Sequence, residues 1–162
     1  MDTCCSLQTF LDAALTLELT TLPPGDVRSA GFFHGRLGRL AAEALLTENG
    51  HFLVRESSSS SERQYVLSCR STVLTEISSQ SPPPVALHFL IHEWPEEKEE
   101  RKVQYAFDGD KFESIQALIS YHVTMKVPVT STSGAIISRP VERRRPLNQK
   151  QLEQCKNVVS KL

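Results

Sequence analysis

One arginine stands inside an apolar run in Phe52-Leu53-Val54-Arg55-Glu56-Ser57, and a loop of hydroxyls, Ser57 to Ser61, follows at once. Alternate side chains of a strand share a face, so Leu53, Arg55 and Ser57 point one way and Phe52, Val54 and Glu56 the other. A guanidinium at mid-strand is costly to desolvate unless an anion meets it. Two arrangements answer that need. One is an intramolecular ion pair with a carboxylate. The other is a site for a guest anion, with Arg55 as its floor and the serine loop as its rim. A planar guanidinium meets two phosphate oxygens at once, which a lysine ammonium cannot do with the same directionality.

The rest of the composition bounds the class of protein. The 162 residues are 40% hydrophobic and 23% charged, with a formal net charge of −1. That suffices for one domain with a core and is short for two. A near-neutral chain is not steered as a whole toward nucleic acid or acidic membranes. Cys4, Cys5, Cys69 and Cys155 lack C-x-x-C spacing and read as reduced thiols of a cytosolic protein. No run approaches a membrane span and no basic-then-apolar start suggests a signal peptide, so the expected location is cytoplasmic.

Elements must then hold Arg55 in place. Leu7, Phe10, Leu11, Ala14 and Leu15 recur at helical spacing, and Pro23-Pro24-Gly25 ends that segment. A second helix is expected over about Arg39 to Thr47, with Gly38 where a cap belongs. Asn49-Gly50 turns the chain into the Arg55 strand. Tyr65 to Cys69 reads as the next strand, with Tyr65, Leu67 and Cys69 on one face and Val66 and Ser68 on the other. Val85–Ile91 and Val103–Phe107 are further strands. His92–Lys102, rich in glutamate, reads as a solvated loop. A helix is expected from about Phe112 to Tyr121, a long loop over Val123–Ser133, and a weak helix from Gln149 to Leu162. The order gives an α+β domain with a small sheet between two helices.

With these elements in order, the chain resembles the Src-homology-2 (SH2) domain from about Phe32 to Pro140. The residues that carry the resemblance are Phe32-Phe33-His34-Gly35-Arg36-Leu37; Arg39 with Ala42-Glu43-x-Leu45-Leu46; Phe52-Leu53-Val54-Arg55-Glu56-Ser57; His88-Phe89-Leu90-Ile91; and Phe112-x-Ser114-Ile115-x-x-Leu118-Ile119-x-Tyr121-His122. Five fragments in sequence are far more specific than any one. Asp26-Val27-Arg28-Ser29, the long span between His88 and Gln104, and Ser133-Gly134-Ala135-Ile136-Ile137-Ser138-Arg139-Pro140-Val141 are similar to the NSP (novel SH2-containing protein) adaptors. Those adaptors carry an SH2 domain, a proline/serine-rich linker and a Ras-type exchange-factor-like domain that docks on Cas-type scaffolds.

The resemblance implies a central antiparallel sheet flanked by two helices. It divides the chain into a lead-in over 1–30, an SH2 domain over 31–142 and a basic, polar tail over 143–162. It implies a phosphotyrosine site in which Arg55 is the floor, Ser57 and the backbone of Ser58, Ser59 and Ser60 close over the phosphate, and Arg39 and His88 flank the ring. Phe89, Tyr105, Phe107 and His122 would wall a second, apolar cleft for residues after the phosphotyrosine. Phe32 stands where the family usually has tryptophan, and Leu90 where Src-like members often have lysine. The partners implied are tyrosine-phosphorylated receptors or scaffolds, with a Cas-type scaffold only if a longer form carries the C-terminal domain.

Three other functions compete. No Cys/His or Ser/His/Asp arrangement, phosphate-cradling glycine loop or metal spacing stands out, so no catalysis, cofactor or metal is expected. A scaffold that no longer needs phosphate would not need Arg55, Ser57 and His88 together. Arg139 with Arg143-Arg144-Arg145 could contact nucleic acid, but a solvated tail suits the neutral domain better.

Overall fold

The apolar run around Arg55 is strand β2, His51–Glu56, and it is covered on both faces because its two alternating sets of side chains meet different partners. A computed structural model describes residues 25–59, 61–72, 83–96 and 102–144. The expected helices over Leu7–Leu15 and Gln149–Leu162, Cys4, Cys5, Cys155 and Ser60 lie outside the described residues. Before β2 come a 3₁₀ turn (Val27–Ser29), β1 (Phe33–Arg36) and helix α1 (Arg39–Leu45). After it come β3 (Tyr65–Ser71), β4 (Val85–Pro95), β5 (Val103–Ala106), helix α2 (Ile115–Met125) and the short β6 (Arg139–Pro140).

One edge of β2 pairs antiparallel with β3, which pairs antiparallel with β4, and β4 with β5. The other edge is shared. β1 runs parallel beside its C-terminal half, with Phe33 opposite Val54, and β6 runs parallel beside its N-terminal half, with His51 opposite Arg139. The sheet is thus mixed: antiparallel as expected across β2–β5, parallel where β1 and β6 join. Phe52, Val54, Leu67 and Cys69 face the larger core with Ile115, Leu118 and Ile119 of α2. Leu53 faces a smaller cluster with Ala42 and Leu46 of the α1 region. Arg55, two residues on, therefore lies on the α1 side.

Two elements differ from expectation, each for a backbone reason. The glutamate-rich segment was expected as loop from His92, yet β4 continues to Pro95 because Val103–Ala106 supplies a partner strand, His92 opposite Ala106 and Trp94 opposite Gln104. Helix α2 was expected from Phe112, but Phe112 exchanges backbone hydrogen bonds with Tyr105 at 2.7 and 2.9 Å. Ser114 is the cap instead, its Oγ accepting from the Ala117 N–H at 3.0 Å, so the helix starts at Ile115 and runs on to Met125.

The start and end of the domain are tied together. The His34 imidazole meets the Val141 carbonyl at 2.6 Å through Nε2. The Val141 N–H donates to Phe52 O at 2.8 Å and the Arg143 N–H to Gly31 O at 2.9 Å. Arg143 was read as part of a solvated tail. Its guanidinium instead donates to the carbonyls of Ala30, Phe33 and Arg28. Burial pushes the Cys69 thiol up to about 12, so it is an inert core group.

Candidate functional site

Strand pairing builds the site from the floor up. Arg55 is only 6% exposed. Its Nε donates to Ser68 Oγ at 2.9 Å and its Nη1 to the Leu37 carbonyl at 3.1 Å. No carboxylate among the described residues pairs with it. Its Nη2 has no hydrogen-bond partner among the described residues, where no buried side-chain nitrogen or oxygen lacks one. Nη2 is therefore not shut off from solvent. Burial, then the Arg39 guanidinium, pull Arg55 below its ordinary pKa, with Glu43 opposing; an arginine remains charged all the same.

Ser68 is the residue that sequence reasoning missed. It is fully buried on β3, directly opposite His88 of β4. Ser68 Oγ lies 2.8 Å from His88 Nδ1, and His88 Nε2 lies 3.0 Å from Glu43 Oε1 on α1. The Glu43 carboxylate can only accept, so His88 Nε2 carries a proton toward it, and the neutral ring then accepts at Nδ1 from the Ser68 hydroxyl, which itself accepts from Arg55. Burial first, and the Arg55 and Arg39 charges after it, hold His88 below its ordinary value of 6.5, against the Glu43 hydrogen bond. The alternation that puts Ser68 on the face of Arg55 was visible in sequence, but the register bringing it to His88 was not.

Arg39 Nε donates to Glu43 Oε1 at 3.0 Å, and its side chain is 70% exposed. Ser57 is buried at the end of β2 and its Oγ lies 3.0 Å from Ser59 Oγ, while Ser58 and Ser59 are exposed. Ser58 Oγ comes within 3.7 Å of where a side chain on Gly38 would begin. The serine loop thus folds against the start of α1. The structure brings together Arg39, Arg55, Ser57, Ser58, Ser59 and His88; Ser60 lies outside the described residues.

The second cleft, of about 280 Å³, lies beside α2. Phe107 and His122 are among its lining residues. Phe89 and Tyr105 are not; Phe89 packs edge-on behind Phe107 at 6.4 Å. Phe112, Tyr121, Val127 and Val129 complete the wall, and Asp108 and Asp110 belong to its lining. His122 Nδ1 meets the Val127 carbonyl at 3.2 Å, which fixes the ring against the loop after α2. Lys111 lies 4.4 Å over the exposed Trp94 ring of β4, a cation–π contact on the loop that carries both aspartates.

The neutral, half-buried histidines set an acid limit. His34 is held low by burial, against its Val141 hydrogen bond, and further by Arg143. In both His34 and His88 the folded pKa lies below that of the unfolded chain. Their stability contribution is therefore present above about pH 6.5 and is lost as pH falls through the lowered folded values. Thermal midpoints should drop by several degrees between pH 7.5 and 5.5, and His34→Gln should flatten that slope. A midpoint independent of pH in this window would show that neither imidazole is held neutral.

Residues 32–122 match the SH2 domain family. SH2 domain-containing protein 3C of Homo sapiens is 38% identical over 132 residues, covering 80% of this chain and 14% of that protein. The breast cancer anti-estrogen resistance protein 3 homolog of Mus musculus is 36% identical over 132 residues, covering 80% of this chain and 15% of its own length. The chain therefore spans about a seventh of the length of these relatives, which are NSP adaptors. The solution structure of the SH2 domain of human proto-oncogene protein VAV1 is similar at a TM-score of 0.48 and 17% identity, covering 78% of this chain and 87% of that one. With an α+β fold on a mixed sheet between two helices and the family match across its central residues, this chain belongs to the SH2 domain family.

Proposed function

We propose that this chain is a non-catalytic adaptor module that binds tyrosine-phosphorylated receptor or scaffold proteins in the cytoplasm, with Arg55 as the floor of the phosphate pocket. The observation that supports this reading is a buried guanidinium whose Nη2, not shut off from solvent, has no partner and which pairs with no carboxylate among the described residues. A phosphate monoester carries roughly −1.5 to −2 charges and three acceptor oxygens. Arg55 takes two of those oxygens, Ser57 and the loop over Ser58–Ser60 the third, and Arg39 stacks on the ring. Charge-assisted hydrogen bonds contribute about 1.5–3 kcal/mol each, so two or three cover much of the ~8 kcal/mol of a micromolar complex.

Depth supplies selectivity. A guanidinium this far down is within reach of a phosphate on a long, rigid phenol and not of one on serine. Titration with matched peptides should give micromolar binding for phosphotyrosine and none for tyrosine or phosphoserine. Equal affinity for the phosphoserine peptide would defeat the depth argument. The cleft beside α2 takes an apolar side chain a few residues after the phosphotyrosine. A Cas-type scaffold becomes a partner only in a longer form that carries an exchange-factor-like domain.

A further inference from the structure

The carboxylate closest to the pocket's cations had no role in the sequence reading. Glu43 sits on α1 one turn after Arg39, and one of its oxygens, Oε1, meets Arg39 Nε and His88 Nε2, each at 3.0 Å. Those are the two groups that would flank a phosphotyrosine ring. We infer that Glu43 is a displaceable internal ligand of the phosphate pocket, seated on Arg39 and His88 while the site is empty and competing with the incoming phosphate for them. The inference rests on the phosphotyrosine reading above and adds how that site is held between ligands.

The hydrogen-bond chain gives the physical content. Arg55 Nε donates to Ser68 Oγ, Ser68 is left to donate to His88 Nδ1, and His88 Nε2–H donates to Glu43 Oε1, which also takes Arg39 Nε–H. Each link runs from donor to acceptor in one direction, from Arg55 to Glu43. The charged or titratable groups facing Glu43 are Arg39 on its own helix, His88 on β4 and, at longer range, Arg55 on β2. Two guanidiniums and one carboxylate leave the pocket a single formal positive charge. A dianion sharing Arg39 with a carboxylate is repelled by it, so Glu43 must turn outward as the phosphate enters. Its side chain is 30% exposed, which leaves that path open. The cost of turning it away is that of breaking a partly exposed ion pair.

Fluorescence polarisation with a degenerate phosphotyrosine peptide pool tests this in five proteins: wild type, E43Q, R39A, the E43Q/R39A double variant and R55A. Glutamine keeps an oxygen for Arg39 and His88 and removes the charge. E43Q should bind about two- to fivefold tighter than wild type, the range of an exposed ion pair, with a steeper loss of affinity on adding salt. The gain should largely vanish in the R39A background, because Arg39 is what Glu43 withholds. E43Q binding no tighter than wild type while R55A loses its affinity would overturn the inference and leave the phosphotyrosine reading standing. A gain that persists without Arg39 would overturn it too, as a bulk charge effect. Wild-type affinity in R55A would bring down both.

Discussion

Replacing Arg55 by alanine should weaken phosphotyrosine-peptide binding at least tenfold. The loss passes a hundredfold if two phosphate hydrogen bonds go at about 1.5 kcal/mol each. The fold should survive, because Ser68 Oγ keeps its contact with His88 and a side chain that donates only to Ser68 and the Leu37 carbonyl is removed. Arg55→Lys separates charge from geometry: an ammonium retains attraction but not the two-pronged approach, so its affinity should fall between wild type and alanine. Isothermal titration of the three proteins with a phosphorylated and an unphosphorylated peptide decides it. Equal binding of both peptides by wild type would retire the adaptor reading.

The second large effect lies in stability. Arg143→Ala should destabilise the domain by about 2–4 kcal/mol, because the carbonyls of Ala30, Phe33 and Arg28 lose a charged donor, Ala30 keeping the Phe33 N–H. For a domain near a hundred residues, that lowers the thermal midpoint by about 10 °C or more. Arg143→Lys should recover less than half, since one ammonium cannot span the Ala30, Phe33 and Arg28 carbonyls. Urea melts of the three proteins measure the difference. A loss under about 0.5 kcal/mol, the ordinary range for a surface position, would show that the terminal segments hold together without this clamp.

Arg143 also shows where sequence reasoning stops. In Arg143-Arg144-Arg145 the residues look alike, and only the register of Val141 against Phe52 O turns Arg143 inward. Arg55 was legible because alternation is local: one polar residue in an apolar strand announces its face without any knowledge of the fold. Glu43 and Ser68 were not, because their meaning comes from packing α1 over β3 and β4, contacts made across 20 and 45 positions of chain. The start of α2 was misplaced by following apolar spacing from Phe112, when the cap at Ser114 was the stronger signal. Glutamates after Pro95 suggested that the strand should stop at Ile91. Backbone pairing with Val103–Ala106 outweighed that local preference.

The mixed sheet has a bearing on how concentrated solutions behave. A strand with unpaired backbone groups along one side is a template for another chain to dock on. The outer side of β5 is already engaged by Phe112 at Tyr105, so little beyond Val103–Gln104 is open there. At the opposite margin, β1 and β6 together close off β2, and Arg143 occupies the outward Phe33 carbonyl. The β1 border is therefore stoppered, whereas on the other side β5 covers β4 only over His92–Pro95 and leaves its edge along Val85–Ile91 unpaired among the described residues. The same arginine that fastens the ends also guards the β1 border against a docking strand.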